Sequence, residues 1–150
     1  MELARVFSHW DQVRVDLLTT IDQFDDSELI FTPFDSSWSV GQIMLHICSA
    51  EAGWFNYVIG QELPDWPVFE LENYPTRRSI KTLLVDIHHQ TNAKLTNWNL
   101  DDLDRPIELP WNNHKLSLSW IIWHVLEHEI HHRGELSLVL GLLGRDGLDV

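Results

Sequence analysis

A single cysteine, Cys48, in 150 residues leaves no partner for an internal disulfide and excludes a zinc site built on several thiolates. Basic residues are scarce as well: ten Lys and Arg stand against 23 Asp and Glu, a net charge of -13. So acidic a surface repels phosphate backbones, and no local basic patch offsets it, so no nucleic-acid partner is expected. No apolar run approaches the roughly eighteen residues of a membrane span, and Met1-Glu2-Leu3 opens no secretory pattern. The expectation is therefore no membrane partner and a cytoplasmic location. Internal repeats, low-complexity tracts and linkers are also missing. With 44% apolar and 22% charged residues, the chain reads as one globular domain, residues 1–150.

Two residue types are abundant. Eight tryptophans serve mainly as large anchors for a small core. Nine histidines are harder to assign to packing, because His124, His128, His131 and His132 crowd into one short stretch. Imidazole is the commonest protein ligand for transition metals.

Four stretches carry helical periodicity. Leu3, Val6, Phe7, Trp10, Val13, Leu17, Ile21 and Phe24 form one apolar stripe, which stops at Asp25-Asp26-Ser27. A second helix begins at Ser39, where Gln42 completes a capping box, and carries Val40, Ile43, Met44, Ile47, Trp54, Phe55 and Val58 to Gly60. A third follows Thr76 as N-cap, with Ile80, Leu83, Leu84, Ile87, Leu95 and Trp98. The fourth starts near Ser117 and runs through Leu118, Ile121, Ile122, Val125, Leu136, Val139, Leu140 and Leu143 to Gly144. Four long helices predict an all-α four-helix bundle. Residues 61–75, acidic and rich in proline and aromatics, predict a long crossover, and Ile107 to Leu118 fits a short hairpin around Asn112-Asn113.

Histidines four apart on a helix differ by about 40° in azimuth and about 6 Å in rise, so two such rings can reach one ion. On the fourth helix His132 falls about 20° and His128 about 60° from the centre of the apolar face, His124 sits at its boundary and His131 points nearer to solvent. His128 and His132 are therefore the candidate metal pair. Catalytic zinc and its relatives take at least three protein ligands, and the wheel leaves the third open. His46 lies about 120° from the apolar centre of its helix and His88 about 80°, which leans slightly to His88.

Two carboxylates fall on apolar faces, Glu51 on the second helix and Glu129 on the fourth. A buried carboxylate is costly unless paired, so both are candidate catalytic groups that could orient a ligand imidazole or act as a base. His128-Glu129-Ile130-His131-His132 also matches H-E-x-x-H. No histidine follows His132, and Glu135 and Leu138 hold the positions where the extended metalloprotease motif has Gly and His, so a protease is not expected.

Trp38-Ser39 followed by His46-Ile47-Cys48-Ser49-Ala50-Glu51, and later His124 through His128-Glu129-Ile130-His131-His132-Arg133-Gly134-Glu135-Leu136, resembles the DinB family within the DinB/YfiT-like superfamily. The resemblance covers nearly the whole chain. It implies a four-helix bundle with a long crossover and a divalent metal bound by three histidines, which here match His46, His128 and His132. The resemblance, not the wheel, supplies His46. It implies close helix packing at Gly134, and Glu135 stands where the family often has Gln. It also implies zinc or nickel first, with iron or manganese as alternatives, and a homodimer. Relatives of this kind join an external low-molecular-weight thiol, bacillithiol or mycothiol, to an electrophile. The leading expectation is thus a metal-dependent thiol S-transferase acting on a small-molecule thiol and electrophile. A metal-dependent hydrolase, a non-catalytic metal-binding sensor or interaction bundle, and a plain structural bundle are the alternatives. Cys48, two residues from His46 and turned about 200° away on a helix, is not the expected nucleophile.

Overall fold

In the computed structural model, which describes residues 1–149, the first apolar stripe does not form one helix. It divides at Phe7–Ser8 into α1 (Leu3–Val6) and α2 (His9–Asp22). The cause is distant in sequence. Leu3 N–H donates to the Trp98 carbonyl at 2.8 Å and Glu2 bridges Asn99, so the start of the chain is tied down before α2 begins.

The other three helices start where side-chain oxygens cap them. Ser39 accepts from Gln42 N–H while Gln42 accepts from Ser39 N–H, closing the capping box that opens α3 (Val40–Ala52). α3 continues into a π-helical segment, Gly53–Ile59, where the periodicity had predicted unbroken α-helix. Thr76 caps α4 (Arg77–Asn97) by accepting from Ser79 N–H, and Ser117 caps α5 (Leu118–Leu142) by accepting from Trp120 N–H. After α5 the chain turns at Gly144 with φ +79°, a left-handed conformation that glycine adopts without Cβ strain.

The crossover is held to α3 by Trp66. Its indole N–H donates to Ser49 Oγ at 3.0 Å, and Ser49 Oγ donates to the Pro67 carbonyl at 2.6 Å. A Cβ at Gly53 would come within 2.4 Å of the Trp66 ring, so only glycine allows this approach. The hairpin also forms: β1 (Pro106–Glu108) pairs antiparallel with β2 (Lys115–Ser117), placing Ile107 opposite Leu116. The result is a four-helix bundle of α2, α3, α4 and α5 with a small two-stranded accessory sheet. None of the described helices is long and apolar enough to cross a membrane.

The bundle interior has two apolar regions. Leu17, Phe24, Ile43, Met44, Leu84 and Leu140 belong to one, and Leu3, Trp10, Phe55, Leu95, Ile121 and Ile122 to the other. Each fully buried large side chain contributes about 1.5–3 kcal/mol. Between the two regions, along α2, α4 and α5, lie buried Arg14, His88 and Glu129, joined by Glu51 of α3. The Arg14 guanidinium ties all four helices. It donates to the Leu84 carbonyl (3.1 Å), to Glu51 and to Glu129 Oε2 (2.8 Å), while Trp10 Nε1 donates to the same Glu129 oxygen at 2.7 Å. Burial alone would lower the Arg14 pKa, but the two carboxylates raise it above its usual value.

Gly134 does not do what the resemblance implied. It is exposed on α5, and a Cβ there would meet nothing within 4 Å, so no close helix packing depends on it. Gly134→Ala is therefore expected to stabilise the protein by about 0.5–1 kcal/mol through helix propensity, read as a higher urea midpoint. A lowered midpoint would show a packing role after all.

Candidate metal centre

α3 packs along α5, and three imidazoles meet in the seam between them. His46 projects from α3, and His128 and His132 project from successive turns of α5. Their ring centroids lie 4.7 Å (His46–His128), 4.9 Å (His46–His132) and 4.4 Å (His128–His132) apart. One nitrogen from each ring falls within 4.8 Å of the other two. His46 Nε2 and His128 Nε2 approach to 2.9 Å. Nitrogens around a tetrahedral zinc at ordinary bond lengths stand about 3.3 Å apart, so a small outward shift of the rings would accommodate an ion.

The electrostatics suit that donor set. Burial holds the His128 pKa down at about 3, and the neighbouring imidazoles act in the same direction. His46 is also lowered, first by burial and then by His132. Both rings are thus neutral at physiological pH, with lone pairs to offer, as coordination requires. Buried His128 Nδ1 has no hydrogen-bond partner among the described residues. His132 is different: its Nδ1 lies 2.7 Å from Glu135 Oε2. The triad therefore fits a divalent cation through three imidazoles, two of them held neutral by burial and the third backed by a carboxylate.

Aromatic rings border the triad on both sides. Trp38, half-exposed, packs on His46 at 4.4 Å and reaches His132 at 6.3 Å. Beyond His128, the His124 ring lies 6.3 Å away, stacks on Trp120 at 4.7 Å and meets the edge of Trp54 at 5.5 Å. Trp120, Trp123 and His124 also line a cavity of about 410 Å³ with Ser117, Ser119 and Glu127.

The two candidate carboxylates lie elsewhere. Glu51 accepts from Arg14 and pairs with His88 Nδ1 at 2.8 Å, and Glu129 accepts from Arg14 and Trp10. Neither hydrogen-bonds a ring of the triad; the carboxylate that does is Glu135. Burial opposes ionisation of Glu51, but Arg14 and His88 outweigh it and lower its pKa, whereas burial dominates at Glu129 and raises it. His88, towards which the wheel leaned, is buried in this cluster and away from the triad. Arg14 escaped notice altogether, although its position four residues after Trp10 placed it on the apolar face of α2 and was the available signal. His131 is exposed, as its azimuth predicted, and stands perpendicular to His132 at 4.9 Å.

A helical bundle with inward imidazoles from two neighbouring helices defines a class of protein that can hold a metal ion in an inter-helix seam. The chain belongs to the DinB superfamily, whose family model matches residues 9–136. It is 26% identical over 137 residues to the uncharacterised protein YizA of Bacillus subtilis (strain 168), covering 91% of this chain and 84% of YizA. Its fold matches the crystal structure of a DinB-like protein from Bacillus cereus ATCC 10987 with a TM-score of 0.77 at 17% identity, covering 96% of this chain and 94% of that one. The likeness extends to the DinB-like protein YjoA of Bacillus subtilis, at TM-score 0.73 and 19% identity over 97% and 96% of the two chains. It extends also to YfiT of Bacillus subtilis, described as a probable metal-dependent hydrolase with an unusual four-helix bundle topology, at TM-score 0.57 and 20% identity over 89% and 87%.

Proposed function

We propose that this protein is a divalent-metal-dependent enzyme in which His46, His128 and His132 hold the ion, and that it transfers a low-molecular-weight thiol to a small electrophile. The observation that carries the reading is the meeting of three imidazoles, two of them held neutral by burial, at one point in the seam between α3 and α5. A cation bound there supplies Lewis acidity that favours the ionised, nucleophilic form of a thiol or water beside it. A coordinating imidazole adds no charge, so His46, His128 and His132 would leave the ion's own charge undiminished. Glu51 and Glu129 are committed to Arg14, which favours a nucleophile that ionises without a general base, and a thiol with its ordinary pKa near 8.5 meets that need. The chain's own thiol does not serve: Cys48 is buried, and burial pushes its pKa well above the usual range.

Zinc or nickel suits three imidazoles, and iron or manganese also accepts them. Hydrolysis is the second reading, favoured by the shared fold with YfiT, a probable metal-dependent hydrolase. Metal-loaded protein incubated with bacillithiol or mycothiol and an electrophile panel is expected to give thiol conjugates by mass spectrometry, at rates that fall to background in the chelated protein. Absence of any conjugate, with metal-dependent cleavage of ester or amide substrates instead, would replace transfer by hydrolysis.

A further inference from the structure

We propose that Glu135 is a positioning residue for the metal centre, fixing the tautomer and orientation of His132. The proposal rests on the reading of the triad as a metal site. A carboxylate only accepts hydrogen bonds, so Glu135 Oε2 at 2.7 Å requires His132 Nδ1 to carry the proton. The lone pair then resides on Nε2, the nitrogen left to face an ion shared with His46 and His128. Glu135 reaches Nδ1 because it follows His132 by three residues on α5, which stacks the two side chains on one face.

This pair differs from an ordinary surface pair of a helix. His132 is only 8% exposed, so its ring has little water to replace a lost acceptor. The Glu135 side chain is 41% exposed, so removing it strands no charge in the interior. Among the described residues, no other ring of the triad has a carboxylate partner: His128 Nδ1 is unpaired, and no carboxylate bonds to His46. Orientation of the centre through a protein carboxylate therefore falls to Glu135. Gln at this position keeps an acceptor oxygen for Nδ1–H, while Ala removes it.

Cobalt(II) and zinc(II) affinities, measured by chelator competition at one neutral pH on the wild type, Glu135→Gln and Glu135→Ala, test the assignment. Glu135→Ala is expected to weaken both affinities by about 10–100-fold, Glu135→Gln by no more than about threefold, with the melting temperature of the metal-free protein unchanged in either. The cobalt ligand-field spectrum is expected to change in Glu135→Ala and to be retained in Glu135→Gln. Wild-type affinity in Glu135→Ala overturns the proposal and leaves the metal site standing. Equal losses in both variants overturn it too, because charge rather than the acceptor would then matter. A wild type that takes up neither ion removes the metal reading itself.

Discussion

Arg14→Met is expected to destabilise the protein by about 3–5 kcal/mol, a large share of the total stability of a domain this size. The guanidinium bonds to α3, α4 and α5 from its place on α2, and it is the counter-charge for Glu51. Without it, Glu51 remains in the interior with its arginine counter-charge gone and His88 still beside it, while the Leu84 carbonyl loses its side-chain donor. The urea midpoint reports the loss. Because the defect is a stranded charge rather than a lost contact, replacing the whole cluster should behave differently. Arg14→Met combined with Glu51→Leu and Glu129→Met is expected to recover most of the stability, since well-packed apolar side chains can match a buried ionic cluster in stability. A loss below about 1 kcal/mol for Arg14→Met alone would mean that the cluster contributes little to holding the helices together.

Joint replacement of His128 and His132 by alanine is expected to abolish metal uptake while leaving the fold in place. Both rings point into the seam, and neither belongs to the Arg14 cluster or to the apolar regions on which the bundle rests. Purified wild type should take up one equivalent of divalent ion and gain stability on titration, about 2.7 kcal/mol at a hundredfold excess over the dissociation constant. The double variant should show no metal-dependent rise in melting temperature. Equal metal content in the two proteins would place the ion elsewhere.

Much of this architecture is local in origin and so was legible from the sequence. Ser39, Thr76 and Ser117 cap helices through atoms three residues away, and Gly144 turns the chain by its own backbone freedom. Apolar periodicity placed the four helical stretches for the same reason. What escaped depends on distant partners. The break at Phe7–Ser8 follows from the tie between Leu3 and Trp98, and the π-helical turn after Ala52 accompanies the approach of Trp66 to Gly53. The site divides along the same line. His128 and His132 share one helix, so their pairing was visible as spacing. The wheels of α3 and α4 each measure the angle to that helix's own apolar centre and not the direction of α5, so together they leaned to His88 of α4 while His46 of α3 was the ring facing α5; the family resemblance supplied that residue. Glu51 and Glu129 were recognised as buried acids, but their common partner is an arginine on a third helix, which no spacing within α3 or α5 reveals.

The most direct test of the account is X-ray absorption spectroscopy of the metal-loaded protein. Three imidazole nitrogens at about 2.0–2.1 Å, with a light-atom scatterer completing the shell, is the predicted first shell for zinc. A shell dominated by carboxylate oxygens, or one with fewer than two imidazoles, would contradict it.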